Sequence, residues 1–135
     1  MATIEPNKYI EFVRQTTSPA SSDFAALLAR LTELETQDAD TPRLLTAAFG
    51  MSAEAGEFTE IVKKVFLQGK PYNADNIEHL KIELGDILWY AAQACMALDV
   101  SFEEVMERNY LKLSARYPEG AFSVYKSENR AEGDL

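Results

Sequence analysis

Two acidic pairs carry the chemistry that this sequence can do, Glu54-Ala-Gly-Glu57 and Glu83-Leu-Gly-Asp86. Each lies inside a pattern of helical period. At about 100° per residue, Leu44, Ala47, Ala48, Met51, Phe58, Ile61, Val62, Val65 and Phe66 gather on one broad apolar arc. Glu54 falls inside that arc and Glu57 on its edge. The second segment repeats the arrangement, with Leu80, Leu84, Ile87, Leu88, Tyr90, Ala91, Ala94, Cys95 and Leu98 on the arc, Glu83 inside it and Asp86 on its edge. Either pair alone arises readily in an acidic protein. Their matched offset from the apolar side makes four carboxylates converge if the two faces meet. Desolvated like charges cannot all stay ionised without a counter-charge. An all-oxygen donor set suits hard Mg²⁺, or Mn²⁺, better than zinc.

A third segment supplies the opposite charge. On a helix following Ser101, the apolar residues Phe102, Val105, Met106, Tyr110 and Leu113 share an arc with Asn109 and Arg116, and Lys112 lies on its edge. An amide and two cations there could neutralise a phosphate chain. Basic residues near a helix C-terminus also favour the dipole without any ligand. Lys63 and Lys64 likewise have a local partner that needs no ligand, because Glu60 and Lys64 are spaced for a surface pair.

These segments must be positioned by helices. Thr41-Pro42 opens a long one, expected to run to Leu67 and to stop at Gly69 before Pro71. Asp75 or Asn76 starts the next, which reaches Leu98. Ser101-Phe-Glu-Glu104 has capping-box spacing and starts another that extends towards Arg116, ended by Pro118 and Gly120. Earlier, Tyr9, Ile10, Phe12 and Val13 mark a short helix from Glu5 to Gln15, Thr16 to Ser22 reads as a connection, and Phe24, Leu27, Leu28 and Leu31 mark a helix from Asp23 to Glu35. Nothing reads as a strand. The expected fold is all-α, a four-helix-bundle core with an additional N-terminal helix, in one domain over residues 1–122 followed by a polar tail over 123–135.

Composition narrows the classes of function. The chain has 135 residues, 47% hydrophobic and 26% charged, with a formal net charge of −9. That balance argues against binding to nucleic-acid backbones. A single cysteine excludes an internal disulfide framework, and Cys95 falls in the apolar arc as a small core residue. No long apolar run suggests a signal peptide or membrane span, so the cytoplasm is the expected location. His79, the lone histidine, lies among polar residues and reads as surface. The six glycines form no phosphate-binding loop of the Walker or dinucleotide type, which argues against a P-loop enzyme.

Glu54-x-x-Glu57, then Glu83-x-x-Asp86, then Asn109-x-x-Lys112 leading to Arg116-Tyr117-Pro118, resembles the MazG-type all-α nucleoside triphosphate pyrophosphohydrolases, over about Leu45 to Ala121. One departure is visible: the family's first motif often reads Glu-Glu-x-x-Glu, and Ala53 stands where the leading Glu would be. The resemblance implies hydrolysis of a nucleoside or deoxynucleoside triphosphate to the monophosphate and pyrophosphate. It implies Mg²⁺ held by Glu54, Glu57, Glu83 and Asp86, with one carboxylate accepting a proton from water, and phosphate contacts from Asn109, Lys112 and Arg116. Tyr90 matches an aromatic that stands near the base in a dCTP-preferring branch, with Lys64, Tyr9 and Phe12 as further substrate candidates. Family members are usually dimers or tetramers, and an outward Trp89 suits a homo-oligomer. Two other readings remain open at this point, a phosphoribosyl-nucleotide pyrophosphohydrolase and a helical assembly module whose acids bind metal without turnover.

Overall fold

The computed structural model describes residues 5–129, which form seven helices and no strand. They separate into two compact units, one ending at Thr41 and the other beginning at Pro42. Among the described residues, no helix is long and apolar enough to cross a membrane.

The first unit contains α1 (Pro6–Thr16), α2 (Pro19–Ser22) and α3 (Phe24–Glu35). Pro6 opens α1, where a missing N–H costs nothing. The α1 C-terminus is closed by hydroxyls: Thr16 and Thr17 donate to the carbonyls of Phe12 and Val13. The stretch expected to be a plain connection contains α2, again opened by a proline. Asp23 caps α3 by accepting from the Ala26 N–H at 2.8 Å, as a short acceptor before an apolar-periodic run should.

The second unit is built on α4 (Thr41–Leu67) and α5 (Ala74–Ala97), followed by α6 (Phe102–Arg116) and α7 (Val124–Glu128). The boundaries of α4 are those expected. Gly69 adopts φ 74°, a conformation that favours glycine, and turns the chain back so that the Lys70 N–H reaches the Lys64 carbonyl at 3.0 Å. The start of α5 differs from expectation: Asn73 is its cap, accepting from the Asn76 N–H. Asn76 instead turns inward and donates from Nδ2 to the Pro71 carbonyl at 2.6 Å. Ser101 caps α6 by accepting from the Glu104 N–H at 3.1 Å. The Glu104 carboxylate pairs with Arg108 one turn on. Part of the expected polar tail is ordered as α7, capped by Ser123. The rest of that tail, residues 130–135, lies outside the described residues.

Helices α4 and α5 run antiparallel, joined by the short turn at Gly69 to Asn73. Their contacts descend in order: Arg43 donates to Gln93 Oε1 at 2.8 Å, the Tyr90 ring packs on Gly50, and Glu54 meets Glu83. The stripe between them is narrow, with Ala47 and Ile61 as the buried apolar side chains among the described residues. The wide arcs read from the sequence are therefore only partly covered. Phe66, Leu84, Leu88 and Leu98 remain exposed, because two helices shield only the residues that face each other.

Candidate metal and phosphate site

The acids converge where the helical pattern placed them. One carboxylate oxygen from each of Glu54, Glu57 and Glu83 lies within 4.8 Å of the others. Antiparallel packing brings this about, since the one-turn spacing of Glu54 and Glu57 presents both from α4 to Glu83 on α5. Their burial follows the wheel: Glu83 is buried, Glu54 half-buried, and Glu57 and Asp86 exposed. Asp86 is not a member of the tight threesome, yet its charge reaches Glu54.

The electrostatics of the cluster are unfavourable to a bare triad of anions. Lost solvation holds the Glu54 carboxyl above its ordinary value of 4.5. The charges of Glu57, Asp86 and Glu83, and a hydrogen bond with Glu83, push it further the same way. Converging oxygens that repel one another fit a divalent cation, and no nitrogen or sulfur donor belongs to the set. Outside the cluster the opposite holds: Glu60 is kept below 4.5 by hydrogen bonds from Lys63 and Lys64.

A cavity of about 310 Å³ opens beside the acids, lined by Glu57, Glu60, Ile61, Lys64, Lys70, His79 and Glu83. Lys64 pairs with Glu60 at 3.3 Å, so the surface pair read from the spacing forms and still borders the acids. Lys70 arrives through the Gly69 turn and was not evident from helical periodicity. His79 was read as a surface residue, and its ring is half exposed, but Nε2 lies 3.0 Å from Oε1 of buried Glu83. The spacing of four residues on one helix was the available signal for that contact.

The α6 residues form a separate place. Asn109 lines a cavity of about 420 Å³ with Met106, Tyr110, Leu113, Tyr117 and Phe122. Tyr117 and Phe122 close one side, ring centroids 5.9 Å apart. Neither Lys112 nor Arg116 lines either of these two cavities. Tyr90 is held between helices against Gly50, with its ring edge-on to exposed Trp89 at 4.9 Å.

The model of the MazG nucleotide pyrophosphohydrolase domain matches residues 44–121, which include both acid pairs and all of α6. Gene 37 protein of Mycobacterium phage L5 is 41% identical over 73 residues, covering 53% of this chain and 63% of its own length. The chain thus spans less than two thirds of that relative. No solved structure matches. With more than half of its length matched and an all-α fold, the chain belongs to the MazG nucleotide pyrophosphohydrolase family.

Proposed function

We propose that the protein hydrolyses a nucleoside or deoxynucleoside triphosphate to the monophosphate and pyrophosphate, using Mg²⁺ or Mn²⁺, and so cleanses or recycles a cytoplasmic nucleotide pool. The observation that carries this reading is the convergence of Glu54, Glu57 and Glu83 from two antiparallel helices. Family membership makes a nucleotide phosphoanhydride the bond in question.

In this reading Glu54, Glu57 and Glu83 hold the divalent ion, with Asp86 adding its charge at the exposed edge. A bound ion supplies Lewis acidity at the phosphoryl oxygens and screens their charge. The protein's own groups do the rest. A carboxylate of the cluster takes the proton of the attacking water as the phosphoanhydride bond breaks. Lys64, beside the acids, and Asn109, Lys112 and Arg116 on α6 neutralise the phosphate chain. Tyr90, fixed by its packing on Gly50, borders the base.

The same reading includes a homodimer or homotetramer. Phe49, Phe66 and Trp89 are 69%, 78% and 55% exposed, while the fully buried apolar residues are few. Large apolar residues so placed are covered in a stable assembly. Light scattering coupled to gel filtration tests this, and a monomer at micromolar concentration would contradict it.

The test of the catalytic reading is a comparison of wild type with Glu57→Gln on a panel of ribo- and deoxyribonucleoside triphosphates with Mg²⁺. The substitution removes a charge at nearly constant volume on an exposed side chain. Turnover by wild type and loss by at least about a hundredfold in the variant is the expected result. Equal turnover by the two proteins would remove the cluster from catalysis.

A further inference from the structure

His79 stands one helical turn before Glu83 on α5, and the two side chains differ sharply in exposure, 51% against 6%. A carboxylate as buried as that of Glu83 requires donors for its oxygens. Its acidic neighbours Glu54 and Glu57 supply none when ionised. His79 supplies one: Nε2 lies 3.0 Å from Glu83 Oε1, within hydrogen-bond range, and the neutral ring with its proton on Nε2 is a sufficient donor. The contact is local to α5, so the helix itself sets its geometry. The terminal torsion of a glutamate is otherwise broad and weakly determined. A donor fixed on one oxygen restrains it.

The neighbouring cations are differently engaged. Lys64 is tied to Glu60, and Lys63 makes a contact with the same carboxylate. Lys70 lines the same cavity as Lys64. Thus, among the described residues, the ring of His79 reaches the deepest acid of the cluster as a donor that is not itself one of the acids.

We propose that His79 is a positioning residue, whose Nε2–H holds the Glu83 carboxylate in the orientation that joins it to Glu54 and Glu57 as one set of divalent-cation ligands. The inference rests on the metal reading proposed above. Partners that orient a ligand in this way are commonly worth ten- to a hundredfold in metal affinity. In this role the ring of His79, which lines the acid cavity, acts through Glu83.

The experiment is a calorimetric titration of Mn²⁺ alone into wild type, His79→Ala and His79→Gln at one neutral pH, with helix content followed by circular dichroism. The expected result is unchanged helix content, Mn²⁺ binding weakened about tenfold in His79→Ala, and most of the affinity restored in His79→Gln, whose amide N–H reaches the same oxygen. A purely structural role would not separate the two variants. Wild-type affinity in His79→Ala overturns the proposal, and so does a His79→Gln as weak as His79→Ala. Wild type that binds no Mn²⁺ overturns the metal reading as well, and the first titration distinguishes that failure from the other two.

Discussion

The ring of Tyr90 lies so close to the backbone of Gly50 that a β-carbon on that glycine would come within 2.1 Å of Cδ1. The contact joins α4 to α5 about one helical turn from Glu54, which faces Glu83. Gly50→Ala must therefore push the ring aside. Overpacking of this kind costs about 1–3 kcal/mol, against about 1 kcal/mol gained from better helix propensity. A net loss of up to about 2 kcal/mol is expected in denaturant unfolding. Combining Gly50→Ala with Tyr90→Ala should cost less than the sum of the two single changes, because the clash then disappears. Additive losses would contradict the contact.

Asn76 anchors the turn that delivers α5. Its Nδ2 donates to the Pro71 carbonyl while its own N–H is accepted by Asn73 Oδ1. Asn76→Ala leaves that partly buried carbonyl without its donor, and the expected cost is about 1 kcal/mol. Chemical denaturation measures it, and unchanged stability would show that water replaces the amide.

The pH dependence of the metal-free fold follows from Glu54. Its folded carboxyl is held above the ordinary 4.5 by lost solvation and by the charges of Glu57, Asp86 and Glu83. Between the unfolded and folded values the folded chain binds more protons than the unfolded one, so stability falls as pH rises through that window. Above it the full penalty is present. Glu54→Gln removes the penalty and should raise the melting temperature of the metal-free protein at neutral pH, while changing it little below the ordinary carboxylate range. A melting-temperature difference that is constant with pH would contradict the coupling.

Lys112 tests whether α6 faces the phosphates. It is exposed and lines neither the acid cavity nor that of Asn109, so Lys112→Ala should leave stability within about 0.5 kcal/mol. Nucleotide triphosphate binding should weaken by about tenfold, the effect of removing one charge-assisted contact. Equal affinity in calorimetry would remove Lys112 from the site.

Much of this site was legible because helices translate spacing into direction. Glu54 and Glu83 inside their arcs are shielded, and Glu57 and Asp86 on the edges are exposed. The extent of α4 and the cap at Ser101 were equally plain, since glycine and serine act locally. What was not legible depends on chain reversal or on covering surfaces. Lys70 joins the cavity only because Gly69 turns the chain back. Asn73 rather than Asp75 or Asn76 caps α5, since Asn76 is drawn inward by the Pro71 carbonyl. A wheel shows that Phe66 and Leu88 belong to an apolar face and says nothing about what covers it. His79 is exposed, as its polar neighbours in sequence indicate, and its contact with Glu83 one turn away is the part that those neighbours hide.

The measurement that tests the central claim most directly is ³¹P NMR of the products formed from each triphosphate, with Mg²⁺ and with the metal chelated. A nucleoside monophosphate and pyrophosphate in equal amounts are expected for at least one substrate, and neither after chelation. Nucleoside diphosphate with orthophosphate, or product formation that survives chelation, would contradict it.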